Sequence, residues 1–353
     1  MRYGDDDRQS SNVEDRRGQR GGGFRFPGGF NFPGRGQRGQ RGRQIRIPMG
    51  GGRRGGFSFT TLIIIGVVMF FLGFNPLDLL RGATSGGGSA PDMSQIPRLP
   101  RTEGGRQVST NDPFRIPGGR QQGQSRAQPG GQPGAQSTGG DDLAVFTKQV
   151  LADTEDVWRR VFQQIGKRYK EPTLVLYRGS TRSACGQGQA AMGPFYCPGD
   201  QRIYIDLSFY SELRRRFQAP GDFAQAYVIA HEVGHHIQYQ FGIATRVQQM
   251  KRRVSRVDGN RIQVRMELQA DCFAGVWANL NDRLKQRLEP GDIQEGLRAA
   301  AAIGDDMMQR RATGRVVPDA FTHGSSEQRV RWFRRGFDSG KIQDCDTFSA
   351  SRI

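Results

Sequence analysis

An uncharged apolar run near the N-terminus constrains this chain more than any other feature. No charged side chain occurs from Gly55 to Leu77, and the core of the run reads FTTLIIIGVVMFFLGF. This run is long enough to cross a hydrocarbon layer of roughly 30 Å. A long segment precedes it and no small-x-small cleavage site follows it directly, which favours a signal anchor over a cleaved signal peptide. The sequence therefore predicts one transmembrane helix at residues 57–80.

The charges on either side of the run predict its orientation. Seven arginines lie between residues 35 and 54, whereas Asp78 and Arg81 cancel after the run. By the positive-inside rule the N-terminus stays in the cytoplasm. The C-terminal part is then expected on the periplasmic or extracellular side of the plasma membrane, where disulfides persist.

Two tracts beside the run are too poor in aliphatic residues to form a core. Residues 1–56 are rich in Gly and Arg, and residues 81–140 in Gly, Gln, Pro and Ser. We therefore expect a disordered basic cytoplasmic arm and a disordered linker. Arginine and phenylalanine interleaved with glycine are typical of segments that bind nucleic acid by charge and stacking. A basic tail near anionic lipid headgroups needs no further partner, and we favour it over nucleic-acid binding.

The remaining residues, 141–353, carry the periodic patterns of a folded domain. The prediction is an α+β fold, mostly helical with a small sheet. In RIYIDLSFY the apolar residues alternate with polar ones, which predicts a half-buried strand that lines a cleft as an edge and pairs with substrate. Residues 141–169 are predicted to form one helix or a helix pair. Further helices are predicted at 222–240, about 262–280, about 293–309 and about 326–337, and strands at 173–177 and 202–209.

The motif AHEVGHHIQ concentrates reactive side chains in one predicted helix. His231 and His235 are four residues apart, so their imidazoles lie on one face of the helix and can reach the same cation. Glu232 lies one position further round, where a carboxylate can contact a metal-bound water rather than the metal. This HExxH pattern is typical of two zinc ligands and a general base.

A catalytic zinc site usually has three protein ligands and one open position, so a third ligand is needed. The segment RMELQADCFAGVWA places Glu267 and Asp271 four residues apart, on one face of a helix. We predict Glu267 as the third ligand. Asp271 is expected to accept the second ring N–H of His231 or His235 and so fix its tautomer.

Two further histidines have other predicted roles. His236 points about a hundred degrees away from His235 round the helix, so we interpret it as a surface or packing residue. His323 lies in a turn within FTHGSSEQRVRWFRRG. It is a candidate catalytic residue, as a hydrogen-bond donor to the transition-state oxyanion, or an alternative third ligand. We favour the donor role over ligation, and a structural role stays open.

The four cysteines exclude some kinds of site and allow one kind of crosslink. None is arranged as CxxC, so a thiolate zinc finger or a redox dithiol has no support. Cys185 and Cys197 bracket a glycine-rich loop, and a local disulfide is expected there if the segment is extracytoplasmic. Cys272 and Cys345 would form the second pair. The alternative is that Cys272, in an apolar segment, is only a small buried side chain.

Four segments together resemble one protein family: YVIAHEVGHHIQ, ELQADCFAGVWA, GPFYCPGDQRIYIDLSFY and FTHGSSEQRVRWFRRG. They are similar to the putative neutral zinc metallopeptidase family of bacterial membrane-anchored proteins, the YpfJ-like family. The resemblance covers residues 141–353 and one membrane segment near the N-terminus. It implies a zincin-like fold, Zn²⁺ on His231, His235 and Glu267, and a catalytic Glu232 at the bacterial inner membrane.

The function predicted from these residues is hydrolysis of peptide bonds in a peptide or protein substrate, with Glu232 as general base to a zinc-activated water. One alternative is a non-catalytic, metal-stabilised membrane scaffold whose basic tail binds nucleic acid or lipid. The intact Glu232 argues against it, since a structural zinc site needs four ligands and no base. Another alternative is a zinc-dependent hydrolase of a non-peptide amide. The sequence carries no signal for oligomeric state.

Overall fold

This computed structural model describes residues 1–18, 92–100, 139–189, 193–215, 217 and 221–353. These segments pack against one another. The predicted transmembrane helix at 57–80 and most of the two predicted disordered tracts lie outside these residues. Within the described ranges, no helix is both long and apolar enough to cross a bilayer.

The described part is mostly helical with one small mixed sheet and a separate hairpin, which confirms the predicted α+β class. The helices are α1 (Gly139–Gln164), α2 (Ser208–Arg215), α3 (Asp222–Gln240), α4 (Ile243–Lys251), α5 (Arg256–Lys285), α6 (Asp292–Ala302), α7 (Asp305–Thr313) and α8 (Ser326–Ser339). The strands are β1 (Val13–Asp15), β2 (Thr173–Tyr177), β3 (Ser180–Ser183), β4 (Gly186–Gln189), β5 (Phe195–Cys197) and β6 (Arg202–Asp206).

The main sheet has the order β1-β2-β6-β5, with β1, β2 and β6 parallel and β5 antiparallel to β6. The predicted edge position of the 202–209 strand is therefore wrong, because β6 lies between β2 and β5. Both faces of β6 are covered, so Tyr204 and Asp206 are as buried as the apolar residues with which they alternate. The edge nearest the candidate site is β5.

The strand β6 is also shorter than predicted. It ends at Asp206, whose carboxylate accepts the backbone N–H groups of Gly179 at 2.6 Å and Ser208 at 2.8 Å. These bonds turn the chain, and Ser208 begins α2. The predicted helix at 293–309 is likewise two helices, separated at Gly304, where a Cβ would lie 2.5 Å from the backbone nitrogen of Ser326.

Parts of the two predicted disordered tracts fold onto the unit. Residues 13–15 form β1, and Ser10 and Asn12 donate hydrogen bonds to the buried carboxylate of Glu155. In the predicted linker, Ile96 and Leu99 are buried. The prediction of disorder is wrong for residues 1–18 and 92–100. The prediction failed there because the average composition of a long glycine-rich tract hides short segments that pack against the folded unit.

The helix α8 crosses α5 at very close range. A Cβ added at Gly275 would lie 2.0 Å from the Phe333 carbonyl oxygen, and one at Gly336 would lie 2.0 Å from the Cys272 carbonyl oxygen. A disulfide between Cys272 and Cys345 ties α5 to the C-terminal segment beside this crossing. The first turn of α8 is thereby held against the middle of α5, where the candidate site lies.

Candidate metal centre

Two adjacent helices bring together the three predicted ligands. The Nε2 atoms of His231 and His235, both on α3, lie 3.3 Å and 3.4 Å from Glu267 Oε2 on α5. One ligand atom from each of the three residues lies within 4.8 Å of the others. The helices approach closely because of Gly234, where a Cβ would lie only 3.0 Å from the Ala270 backbone. Gly234 therefore makes room for α5.

The spacing and chemistry of these atoms fit a zinc ion. Tetrahedral zinc with bonds of about 2.0–2.1 Å to nitrogen and oxygen separates its ligand atoms by about 3.3 Å. The separations from Glu267 to the two imidazoles are of this size. Two imidazoles and one carboxylate also make up a common catalytic zinc set, with a fourth position left for water or substrate. The residues present therefore fit the metal.

Each of the three side chains is oriented by a hydrogen bond at its other polar atom. The Nδ1 atom of His231 lies 2.8 Å from Asp271 Oδ1, and that of His235 lies 2.9 Å from the Gln238 side-chain oxygen. Since both partners are acceptors, each Nδ1 donates and each Nε2 faces the shared centre. Gln263 donates to Glu267 Oε1 at 2.8 Å, which leaves Oε2 facing the same centre.

The orienting residues are themselves held in place. The Gln238 amide nitrogen donates to the Met266 carbonyl oxygen at 2.6 Å and to the Gln269 side chain at 3.1 Å. Asp271 accepts from the Tyr227 hydroxyl and from the Nε and Nη2 atoms of Arg329. Sequence reasoning did not find Gln238, Gln263, Tyr227 or Arg329. Three of them lie in quoted motifs, but nothing in a motif shows which way a glutamine, tyrosine or arginine points.

The site favours a bound positive charge. Burial opposes the charged form of His231, but the Asp271 carboxylate outweighs it and raises the pKa of His231 to about 9. The pKa of His235 is also raised, because the attraction of Glu267 exceeds the effect of burial. Burial would raise the pKa of Glu267, yet the adjacent imidazoles hold it well below its ordinary value. A divalent cation supplies the positive charge that these groups stabilise.

Glu232 lies in the same cleft as the three candidate ligands. The cleft is a cavity of about 430 Å³ whose lining includes His231, Glu232, His235 and Glu267. Glu232 is 7% exposed, so its carboxylate is accessible from the cavity and shielded from bulk water. The lining also includes the apolar side chains of Phe209, Phe217, Val228, Ile303 and Met308.

His323 lies at the cleft but outside the ligand group. Its side chain is 54% exposed, and its Nδ1 atom contacts Asp305 at 3.2 Å. Asp305 also accepts the backbone N–H groups of residues 322–324, which fixes the turn that carries His323. Although packing opposes its charge, Asp305 raises the pKa of His323. Within the described residues the ligand group consists of His231, His235 and Glu267, so the arrangement favours Glu267 over His323 as third ligand.

His236 is a buried packing residue on the other side of α3. Its Nε2 donates to the Lys170 carbonyl oxygen at 2.6 Å, so its Nδ1 accepts from the Tyr196 hydroxyl at 3.0 Å. Burial lowers the pKa of His236 to about 4. The neutral ring therefore joins α3 to the segment before β2 and to β5.

Both disulfide pairings considered from the sequence are present. Cys185 bonds Cys197, and Cys272 bonds Cys345. The first links the β3–β4 hairpin to β5, which borders the cleft. The second fastens α5 beside Asp271. Cys272 is therefore both fully buried and crosslinked, which decides between the two interpretations of this residue.

Comparison with known proteins gives consistent results. The family described as "Putative neutral zinc metallopeptidase" matches residues 105–348. The chain is 55% identical over 213 residues to an Escherichia coli K12 protein named "Uncharacterized protein YpfJ". The aligned residues make up 60% of this chain and 73% of that protein. It is 41% identical over 226 residues to "Uncharacterized protein Rv2575" of Mycobacterium tuberculosis H37Rv, and this alignment spans 61% of this chain and 75% of that protein. No solved structure matches the chain.

Proposed function

The chain belongs to the putative neutral zinc metallopeptidase family, and we propose that it hydrolyses peptide bonds with a zinc ion held by His231, His235 and Glu267. The observation that carries the proposal is the ligand group itself. Three donors of the right type converge, each one is oriented by a second hydrogen bond, and a carboxylate adjoins them in an open cleft. A zincin-like fold is part of this proposal.

Glu232 is the general base of the proposed reaction. Bound zinc would supply a Lewis acid that polarises the peptide carbonyl and lowers the pKa of a coordinated water. Glu232 accepts the proton of the attacking water and then donates it to the leaving amine. Its position one residue after His231 on α3 holds its carboxylate beside the ligands without placing it among them.

His323 is the proposed donor to the developing oxyanion. It lines the cleft on the side of α7, and Asp305 holds both its ring and its backbone. A donor fixed before the substrate arrives needs no reorganisation when negative charge develops on the carbonyl oxygen. Asp305 is therefore a positioning residue for His323 in this proposal.

An extended substrate backbone is proposed to pair with β5. Within the described residues β5 pairs with β6 on one side only, and Phe195 and Tyr196 of β5 line the cleft. Addition of a strand to an open edge supplies affinity through main-chain hydrogen bonds and leaves alternate side chains to occupy pockets. This replaces the sequence-based expectation that the 202–209 strand forms the edge.

Membrane attachment through residues 57–80 is also a proposal. The apolar run supports it, and the two disulfides support placement of the described unit outside the cytoplasm. The substrates would then be peptides or proteins of the cell envelope.

Digestion of a peptide library tests the proposed activity. The purified chain is incubated with the library alone, with a chelator, and with the chelator followed by zinc. Cleavage that the chelator abolishes and zinc restores is expected. Absence of cleavage by the zinc-bound protein, both before chelation and after zinc is restored, would contradict the peptidase assignment and favour the non-peptide amide hydrolase or the scaffold.

A further inference from the structure

We propose that Arg329 is a positioning residue for the ligand His231 and acts on it through Asp271. The inference rests on the proposed zinc site and adds a residue from a third helix to it. Arg329 lies in the first turn of α8, whereas the ligands lie on α3 and α5. Only 3% of Arg329 is exposed. A buried guanidinium needs a partner, and its partner is the carboxylate that contacts His231.

The guanidinium holds both oxygens of Asp271. Its Nε donates to Oδ2 at 2.9 Å and its Nη2 donates to Oδ1 at 3.0 Å. Oδ1 is the oxygen that accepts from His231 Nδ1 at 2.8 Å. Paired bonds of this kind fix the plane of a carboxylate as well as its position. Asp271 therefore cannot rotate, and the imidazole that it orients keeps Nε2 directed at the metal centre.

Two further contacts fix the guanidinium. Its Nη2 donates to the Tyr227 hydroxyl oxygen at 3.1 Å, and its Nη1 donates to the Ile303 carbonyl oxygen at 3.3 Å. Tyr227 in turn donates to Asp271 Oδ1. Lysine cannot reproduce this set, because its ammonium is a point charge without the planar fork that spans two carboxylate oxygens. The geometry of the site therefore requires arginine at this position.

The close crossing of α5 and α8 is what brings Arg329 to Asp271. Gly275 and Gly336 let the two backbones touch, with the Cys272–Cys345 disulfide beside them. The Ser325 side chain and Gln328 form a capping box that fixes the start of α8 four residues before Arg329. Together these features hold the first turn of α8, and with it Arg329, against Asp271.

The affinity for zinc tests this role without any substrate. In competition with a chromogenic chelator, Arg329→Lys is expected to weaken zinc binding about tenfold or more, as loss of such outer partners does. Arg334→Gln, an exposed arginine on the same helix, is the matched control and should bind like the wild type. A folded Arg329→Lys variant with wild-type affinity would overturn the proposal. A wild type that binds zinc but cleaves nothing would contradict only the proposed activity.

A second variant covers the case in which Arg329→Lys does not fold. Tyr227→Phe removes another donor to the same Asp271 oxygen and leaves no buried charge. A several-fold loss of zinc affinity is expected, and the circular dichroism of the metal-free protein should match the wild type. Unchanged affinity in Tyr227→Phe would then overturn the idea that donors to Asp271 position His231.

A different observation, at the β1 edge of the sheet, carries an independent inference. We infer that residues 1–18 and the rest of the described unit lie in the same cellular compartment. The strand β1 pairs with β2 in parallel, with Val13 opposite Leu174. Leu174 donates to the Asn12 carbonyl at 2.9 Å, and Arg16 donates to the Leu176 carbonyl at 2.7 Å. The N-terminal segment is thus a strand of the main sheet.

The same segment provides partners for two buried acids of α1. Glu155, 1% exposed, accepts from Ser10 at 2.5 Å, Asn12 at 2.8 Å and Arg8 at 2.9 Å. Asp153, equally buried, accepts from the Tyr3 hydroxyl at 2.9 Å. Buried carboxylates are stable only when such bonds are made. The fold therefore contains its N-terminal segment as a component.

This arrangement and a single membrane crossing at residues 57–80 exclude each other. One crossing would place residues 1–18 and residues 139–353 on opposite sides of the membrane. Strand pairing requires them on the same side.

Cysteine labelling in spheroplasts decides between the two arrangements. Asp6→Cys and Arg315→Cys place an exposed thiol in each part of the full chain, and the native cysteines are disulfide-bonded. A membrane-impermeant maleimide should label both variants, or neither, before the membrane is permeabilised. Labelling of one variant before and of the other only after permeabilisation would overturn the inference. As a control, both variants must be labelled after permeabilisation, since this shows that each introduced thiol is reactive.

Discussion

The Nδ1 atom of His235 lies 2.9 Å from the side-chain oxygen of Gln238, one helical turn further along α3. Gln238→Leu removes the acceptor that fixes the imidazole tautomer. We expect zinc affinity to fall about tenfold or more, because outer-shell partners of metal ligands contribute to this extent. Competition with a chromogenic chelator measures the zinc affinity of the variant. Gln248→Leu, an exposed glutamine on α4, is the control, and equal losses in both variants would show that Gln238 has no special role.

The third ligand is tested by a pair of variants. Glu267→Gln should weaken zinc binding strongly, since it removes the charged oxygen that lies between the two imidazoles. His323→Gln should leave zinc affinity within a factor of about two and lower kcat about 10²-fold or more, as loss of an oxyanion donor does. Zinc titration and steady-state kinetics measure the two effects. If instead His323→Gln lost zinc affinity and Glu267→Gln kept it, His323 would be the third ligand.

His236 is expected to make the fold acid-sensitive. Its pKa is about 4 in the folded protein and 6.5 in the unfolded chain, so the folded state binds fewer protons between these values. The full contribution to stability is present above pH 6.5 and is lost as the pH falls through 4, which corresponds to about 3 kcal/mol.

Chemical denaturation of the chelator-treated protein at several pH values measures this effect. The free energy of unfolding of the wild type should fall more steeply between pH 6.5 and 4 than that of His236→Gln, which keeps a donor for the Lys170 carbonyl. Parallel curves for the two proteins would show that His236 is not the titrating group. Both proteins lose metal-linked stability equally, because the chelator removes it.

The crossing of α5 and α8 should not tolerate a methyl group. In Gly275→Ala the Cβ would overlap the Phe333 carbonyl, so the helices must separate, at a cost of about 1–3 kcal/mol or more. Gly259→Ala lies in the same helix, and its Cβ meets nothing closer than 3.9 Å. It should be neutral or stabilise the protein by up to about 1 kcal/mol. Thermal unfolding compares the two variants, and equal midpoints would contradict the close contact between α5 and α8.

The sequence predicted those parts of the molecule that depend on local periodicity. The bounds of α3 and β2 match the predicted ranges because apolar spacing and flanking glycines mark them. Glu267 was predicted to join His231 and His235 because a catalytic zinc site needs a third ligand, and the three ligand atoms do lie within 4.8 Å of one another. A motif of reactive residues at helical intervals constrains where side chains point even when the packing of the helices is unknown.

The rest depends on contacts between distant segments. Whether Asp271 would contact His231 or His235 depended on how α5 packs against α3, and Arg329 reaches Asp271 from 58 residues further along the chain. The pairing of β1 with β2 was hidden in a basic, glycine-rich tract, because only three residues form the strand. No local pattern encodes such contacts.

The most direct measurement compares metal content and hydrolysis in Glu232→Gln. This variant deletes the proposed base and leaves His231, His235 and Glu267 intact. We predict one zinc per chain, as in the wild type, and a rate of peptide hydrolysis lowered at least about 10²-fold, the typical contribution of general base catalysis. Full peptidase activity in Glu232→Gln, with zinc bound, would contradict the account.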